Sequence, residues 1–447
     1  MLVYKFGGTS VGSVVNINHV KDIIDNNDRK IVVLSAMSGT TNALIEISNL
    51  IKSNKNEVAI ERIKTLNENY NTAVYDLLHN KSLRQEVSDY VNMIFKNLIE
   101  ATKKTYSTQL HNSIVASGEL LSTHMFSRFL QQEGFQVVLL PALDFMRIDS
   151  NNEPDNFYIK QNLTRLIDSQ SEADIYITQG FICLDTDGEI TNLQRGGSDY
   201  TATIIGAAIE ADEVQIWTDI DGFHNNDPRF VNDTKTLSYL SYVEAAELAY
   251  FGAKILHPQT VMPVRRLDIP LRLKNTMAPD AHGTLITNQT HGDGIKAIAA
   301  KDGITAIKIK SVRMLLAHGF LKKVFEIFET YETAIDMITT SEIAVSLTID
   351  DVTNLETIVS ELQKFAQVEV EDYMSIACLV GNNIIYHPDT PALFQVLQDV
   401  NVRMIAYGGS NNNISLLVNT SDKLETLQKL QRYVFEAQPQ FAALNMN

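Results

Sequence analysis

The chain of 447 residues is too long for one small domain and predicts two to four units. Its 45% hydrophobic and 20% charged residues are the balance of a soluble globular protein, not of a disordered or membrane-embedded one. A net charge of −17 argues against nonspecific binding to nucleic acid or an anionic membrane, and the two cysteines, Cys183 and Cys378, lack the spacing of a disulfide framework or a zinc site. No run nears about 18 apolar residues and no basic N-terminal region leads into an apolar one, so a cytoplasmic protein in a reducing compartment is expected.

Residues 1–6, 30–36 and 136–140 are short apolar runs that predict strands. Between Gly39 and Gly118 there is neither glycine nor proline, and Ile60, Ile63, Tyr70, Val74, Tyr75 and Leu78 recur at helical spacing. A mostly helical segment is expected there, with Ser117-Gly118-Glu119 at its end. Strand 174–182, helix 202–210 and strand 213–218 follow, the alternation of an α/β domain with a largely parallel sheet. Helices through Tyr242–Tyr250 and Pro258–Arg266, then strands 269–275 and 284–287, close this unit.

Pro279, Gly283, Gly292 and Gly294 mark a boundary within 277–296. Beyond it the order is strand 304–310, helix 319–331, strands 334–339 and 343–349, helix 354–365 and strand 367–371, a βαββαβ unit. A second set follows: strand 375–381, helix 391–399, strands 402–407 and 413–418, helix 422–436. Two small ferredoxin-like modules, free to exchange strands, are expected. The domain reading is therefore 1–290, 300–371 and 372–447.

Lys5-Phe6-Gly7-Gly8-Thr9-Ser10 reads as a strand ending in a turn of bare backbone, which suits a phosphate chain beside a cation. It is also an ordinary turn after an edge strand. Gly7 to Gly12 lacks the Lys-Ser/Thr that completes a Walker A loop. No G-x-G-x-x-G, H-R-D or D-F-G is present, so a dinucleotide site is unsupported and a protein kinase is excluded. Arg195-Gly196-Gly197-Ser198-Asp199 precedes a helix whose N-terminus would expose amide donors to an anion. Arg195 can clamp a carboxylate with two parallel bonds. Asp199 is either a first-turn acid or the partner that orients Lys5. Thr218-Asp219, Asp227-Pro228-Arg229 and Lys254 before His257-Pro258 are equally turn and cap chemistry when taken singly. Glu119 is a surface acid or the receiver of a substrate ammonium.

Together, and in this order, these motifs resemble one family: aspartate kinases of the amino-acid kinase superfamily. Phe251-Gly-Ala-Lys254-Ile-Leu-His-Pro258 is the most specific of them. Gly319-Phe320-Leu321 and Ile338-Thr-Thr-Ser-Glu342 extend the resemblance over essentially the whole chain, and the monofunctional, lysine-sensitive type is the most similar. The resemblance implies a three-layer α/β/α amino-acid kinase domain with a mainly parallel sheet, followed by two ferredoxin-like (βαββαβ) ACT modules. It implies ATP-dependent phosphorylation of the side-chain carboxylate of L-aspartate with Mg²⁺, feedback by L-lysine, and a homodimer or tetramer assembled through the ACT modules. Lys5 and Asp199 would be catalytic. Ser35, Thr41, Glu119, Arg195 and Ser198 would hold aspartate. Lys5, Gly7, Gly8, Thr218, Asp219, His224, Arg229, Lys254 and Ile255 would lie at the nucleotide, His224 standing where the family commonly has tyrosine. Met314, Phe320, Leu321, Asp336, Ser341 and Glu342 would receive lysine. No protein metal ligand set is implied. The alternatives are another amino-acid kinase, of the glutamate type, and an amino-acid-sensing protein with an inactive kinase half.

Overall fold

A computed structural model describes residues 1–193, 196–252, 256–311, 318–388 and 390–437. The chain divides into two compact units, Met1–Gly222 with Leu256–Asn288, and Phe223–Ile255 with Gln289–Asn447.

The first unit is built on strand Leu2–Phe6, whose apolar residues are buried on both faces. Parallel neighbours Lys30–Leu34 and Glu213–Thr218 flank it. Ile175–Gln179 and Val137–Leu140 extend the sheet on one side, and Leu271–Asn275 on the other, all parallel. Thr284–Thr287 pairs antiparallel with Leu271–Asn275. Near-continuous apolar runs are what a parallel sheet covered on both faces requires. The C-terminal ends of the central strands therefore open on one edge, where ligands gather in such sheets.

The glycine-free segment forms helices Thr40–Lys52, Asn56–Leu77, Lys81–Ala101 and Thr108–Gln132. Their apolar stripes (Ile63, Tyr70 and Val74 in the second, Val87, Val91 and Phe95 in the third) join one core with helix Val14–Ile24. Helical structure continues past Gly118 to Gln132. A Cβ at Gly118 would lie 2.8 Å from Ala36 Cβ and 3.2 Å from Thr40 Cγ2. That glycine permits close packing inside a helix and does not end it. The stretch 174–182 is two strands, Ile175–Gln179 and Ile182–Leu184, separated where Phe181 takes a φ of 68°.

The second unit holds one six-stranded antiparallel sheet in the order Ile338–Thr340, Ala344–Ile349, Gly294–Lys310, Gln367–Asn382, Asn413–Asn419, Met404–Ala406. Two long strands, Gly294–Lys310 and Gln367–Asn382, stand where the sequence pattern suggested shorter ones. They pair along their lengths with register shifts around Lys301–Ala306. Each half of this pair serves a different core. Ile307 and Ile309 pack with helices Phe320–Thr330 and Leu355–Gln363. Ile295, Ile298 and Leu379 pack with helices Thr390–Val396 and Lys423–Gln431, and Val231 joins them.

Candidate active site

Lys5 is the penultimate residue of the central strand, level with Val33 and Ile216 on its neighbours. Its ammonium meets Asp199 Oδ1 at 2.6 Å, both side chains being largely buried. Asp199 stands in the first turn of helix Gly197–Ala208, whose N-cap is Gly196 at a φ of 74°. Both readings of that acid hold at once: it faces the helix's positive end and fixes the lysine. A Cβ at Gly7 would lie 3.4 Å from Lys5 Nζ, so the turn runs directly beside the ammonium.

The neighbouring strand ends bring the rest. Ser35 follows Lys30–Leu34, and its hydroxyl donates to Ser198 Oγ at 2.9 Å. Ser122 Oγ donates to the Ser35 carbonyl at 2.9 Å and steadies that turn. Glu119 projects from helix Thr108–Gln132 and accepts the Ala36 N–H on Oε1 at 3.2 Å. Its other oxygen, Oε2, is buried with no partner. Burial pushes the Glu119 carboxyl up to about 7, against the pull of the Ala36 N–H bond. A cavity of about 420 Å³ joins these groups; Thr9, Ser35, Thr41, Glu119, Phe181 and Ser198 are on its wall. Thr40, next to Thr41, is held by the buried Tyr70 hydroxyl at 3.0 Å.

Phe181 went unread in the sequence. Its N–H donates to Thr201 Oγ1 at 2.8 Å, which ties the wall to the helix carrying Asp199. The signal was present as Gly180-Phe181 interrupting an apolar run, a place where an L residue takes a left-handed φ only under constraint.

Thr218 and Asp219 lie at the end of Glu213–Thr218, the Thr218 hydroxyl donating to Asp219 Oδ1 at 3.1 Å. His224 and Arg229 belong to the second unit. His224 Nδ1 pairs with Thr234 Oγ1 at 2.9 Å. The exposed Arg229 guanidinium is gripped by Asp227, with Nη2 to Oδ2 at 2.6 Å. Arg195, Lys254, Ile255 and Met314 lie outside the described residues.

Of the residues suggested for an effector, Phe320 is buried against Phe365 and Leu321 is exposed beside it. Asp336 is buried and accepts from Lys301 Nζ and from the Tyr250 hydroxyl, each at 2.7 Å. Ser341 and the exposed Glu342 form the turn after Ile338–Thr340, where Ser341 N donates to the Ala344 carbonyl. Asp336 and Glu342 thus stand at opposite ends of one short strand rather than as a pair. An extended chain advances about 3.3 Å per residue, so the strand between them holds the two residues well apart.

A model of the Amino acid kinase family matches residues 1–275, and an ACT domain model matches residues 378–433. The lysine-sensitive aspartokinase 3 of Escherichia coli (strain K12) is 34% identical over 452 residues, 98% of this chain and 99% of that protein. The crystal structure of E. coli aspartokinase III with aspartate and ADP matches at a TM-score of 0.83 and 34% identity, over 98% of this chain and 100% of that one. The same enzyme with lysine and aspartate matches at 0.80, with equal identity and coverage. A parallel-sheet unit with a lysine–aspartate pair at its strand ends, the family match over more than half the chain and the end-to-end likeness to a relative lead to one conclusion: the chain belongs to the aspartokinases of the amino acid kinase family.

Proposed function

We propose that this aspartokinase, which phosphorylates L-aspartate with ATP, holds its substrate in the cavity between the Ser35 and Ser198 turns, with the α-ammonium on Glu119. The single observation that supports this placement is the buried, unpartnered Oε2 of Glu119, an acceptor that an ammonium would satisfy. Arg195 takes the α-carboxylate through its bidentate fork, with Ser35, Thr41 and Ser198 around the substrate. The free side-chain carboxylate, with an ordinary pKa of about 3.9, is already ionised at neutral pH and needs no general base. One of its oxygens attacks the γ-phosphorus, the bond to the β-phosphate oxygen breaks, and 4-phospho-L-aspartate and ADP result. The difficulty is an anion attacking an anion. Lys5, held by Asp199, stabilises the charge on the transferred group, helped by the amide of Gly8, the Gly7 amide being turned to the Trp217 carbonyl at 3.4 Å.

Thr218, Asp219, His224, Arg229, Lys254 and Ile255 bind the nucleotide in this reading. Among the described residues no group of three His, Cys, Asp or Glu side chains is placed to cage a metal. In this reading Mg²⁺ arrives on the nucleotide, an ion that keeps its waters and leans on phosphates. When bound, it would neutralise charge on the phosphate oxygens.

Residues 1–290 serve as the catalytic domain, with ACT modules at 300–371 and 372–447. L-Lysine is the feedback effector, received by Met314, Phe320, Leu321, Asp336, Ser341 and Glu342. What supports this is the lysine sensitivity of the E. coli relative and its lysine-bound structure. Exposed Leu321, Phe325, Ile338 and Ile343 on the first module favour a homodimer or tetramer through these modules. Among the described residues no helix is long and apolar enough to cross a membrane, and we place the enzyme in the cytoplasm. Hydroxylamine trapping of the acyl phosphate tests the reading. Aspartate should give the hydroxamate, glutamate should not, and lysine should suppress the signal.

A further inference from the structure

Helix Tyr242–Tyr250 is fastened to the regulatory sheet along one face. Glu244 pairs with Lys296 at 2.8 Å, and three residues on Glu247 accepts from Asn413. Three further on, the Tyr250 hydroxyl donates to Asp336. Spacing of three places these side chains on one side of a helix. Just past the helix, Gly252 lies so close to the sheet that a Cβ there would come within 1.9 Å of the Ala300 carbonyl oxygen. Lys254, assigned to the nucleotide, is two residues further along the chain.

Asp336 is the node. Its side chain is 1% exposed. Oδ1 accepts from both Lys301 and Tyr250, and Oδ2 is buried without a partner. Lys301 also pairs with Asp350 at 2.8 Å and sits 4.6 Å from the centre of the Tyr250 ring. The chain thus presents to Asp336 a primary ammonium on a four-carbon stem, the same group that free lysine carries.

We propose that Lys301 is an internal competitor for the effector's ammonium at Asp336, and that Tyr250 transmits the exchange to the helix leading into Gly252 and Lys254. This rests on the reading that Asp336 receives lysine. An effector ammonium that takes Asp336 displaces Lys301 and weakens the Tyr250 bond, and by linkage whatever strengthens the internal pair weakens the effector.

The test is lysine binding by calorimetry on the full-length enzyme, with kcat and the KM for ATP measured with and without lysine. Hydrogen bonds to charged groups carry enough free energy that Lys301→Met should tighten lysine binding about tenfold or more. Lys301→Arg, which keeps the cation, should restore the parental affinity. Tyr250→Phe should bind lysine at least as tightly, while the effect of lysine on kcat and on the KM for ATP seen in the parental enzyme is lost. Unchanged or weaker lysine binding in Lys301→Met overturns the proposal. Should that variant fail to fold, a Tyr250→Phe enzyme whose KM for ATP still responds fully to lysine overturns it instead. Asp336→Asn separates the two readings: undiminished lysine binding there sinks the effector site itself, whereas lost binding leaves that site standing and the competitor idea to be judged on the other variants.

Discussion

Lys5 and Asp199 are separated by most of the first unit's sequence, yet their side chains touch. In the proposed reaction this pair would present the ammonium to the transferred phosphoryl group already oriented, so its stabilisation would need no rearrangement. By comparison with the loss of one such donor elsewhere, Lys5→Ala should lower kcat at least about 10²-fold with folding intact, as steady-state kinetics and circular dichroism would report. Glu119 makes a second prediction. The unfolded chain ionises it at its ordinary value, while burial holds the native carboxyl at about 7. Between these values the native state carries the extra proton, so the group withdraws stability as pH rises through that window. A substrate ammonium favours the ionised form. The KM for aspartate should therefore fall as pH rises toward about 7 and level off above it. Glu119→Gln should raise that KM and flatten its pH profile. The Lys5–Gly7-Gly8 turn was legible because its chemistry is local. The partnerless oxygen of Glu119 was not, since it follows from a helix continuing through Gly118 into contact with Ala36 and Thr40.

Elements show where local pattern stops being decisive. Glu369, Glu371 and Asp372 break the apolar run 367–381, so the sequence reads as two strands, and in the structure Tyr373 between them takes a φ of 59°. Pairing with Gly294–Lys310 carries one strand through, because the partner's hydrogen-bonding edge continues past the irregularity. Helix Tyr242–Tyr250, by contrast, announces itself through Ser241 and Glu244, which form a capping box. Glu244 is also fully buried against Lys296. Breaking a buried pair strands a charge, so Glu244→Gln should cost about 3 to 5 kcal/mol of stability in denaturant unfolding. The double variant Glu244→Gln with Lys296→Met should recover most of that, since the glutamine still accepts the Ser241 N–H and no unpaired charge remains.

For the whole molecule, two compact units make a single unfolding free energy ill-defined, and calorimetry should be read as two transitions. If lysine binds the native regulatory unit and not its unfolded chain, saturation at a hundred times the dissociation constant should stabilise that transition by about 2.7 kcal/mol. Glu342→Ala should abolish this shift while leaving the other transition in place. The sequence by itself determined the class of each unit, through apolar runs alternating with helical spacing and then a βαββαβ order. It also singled out the groups proposed to react, because these motifs in this order resemble those of one family. Only the tertiary structure decided which strand ends face one cavity, that Asp336 is engaged by Lys301 and Tyr250, and that residues 223–255 belong to the second compact unit. The reason is physical. A turn or a helix is specified by residues within a few positions of one another, whereas burial, and with it the cost of an unpaired carboxylate oxygen, exists only once distant segments have excluded water from it.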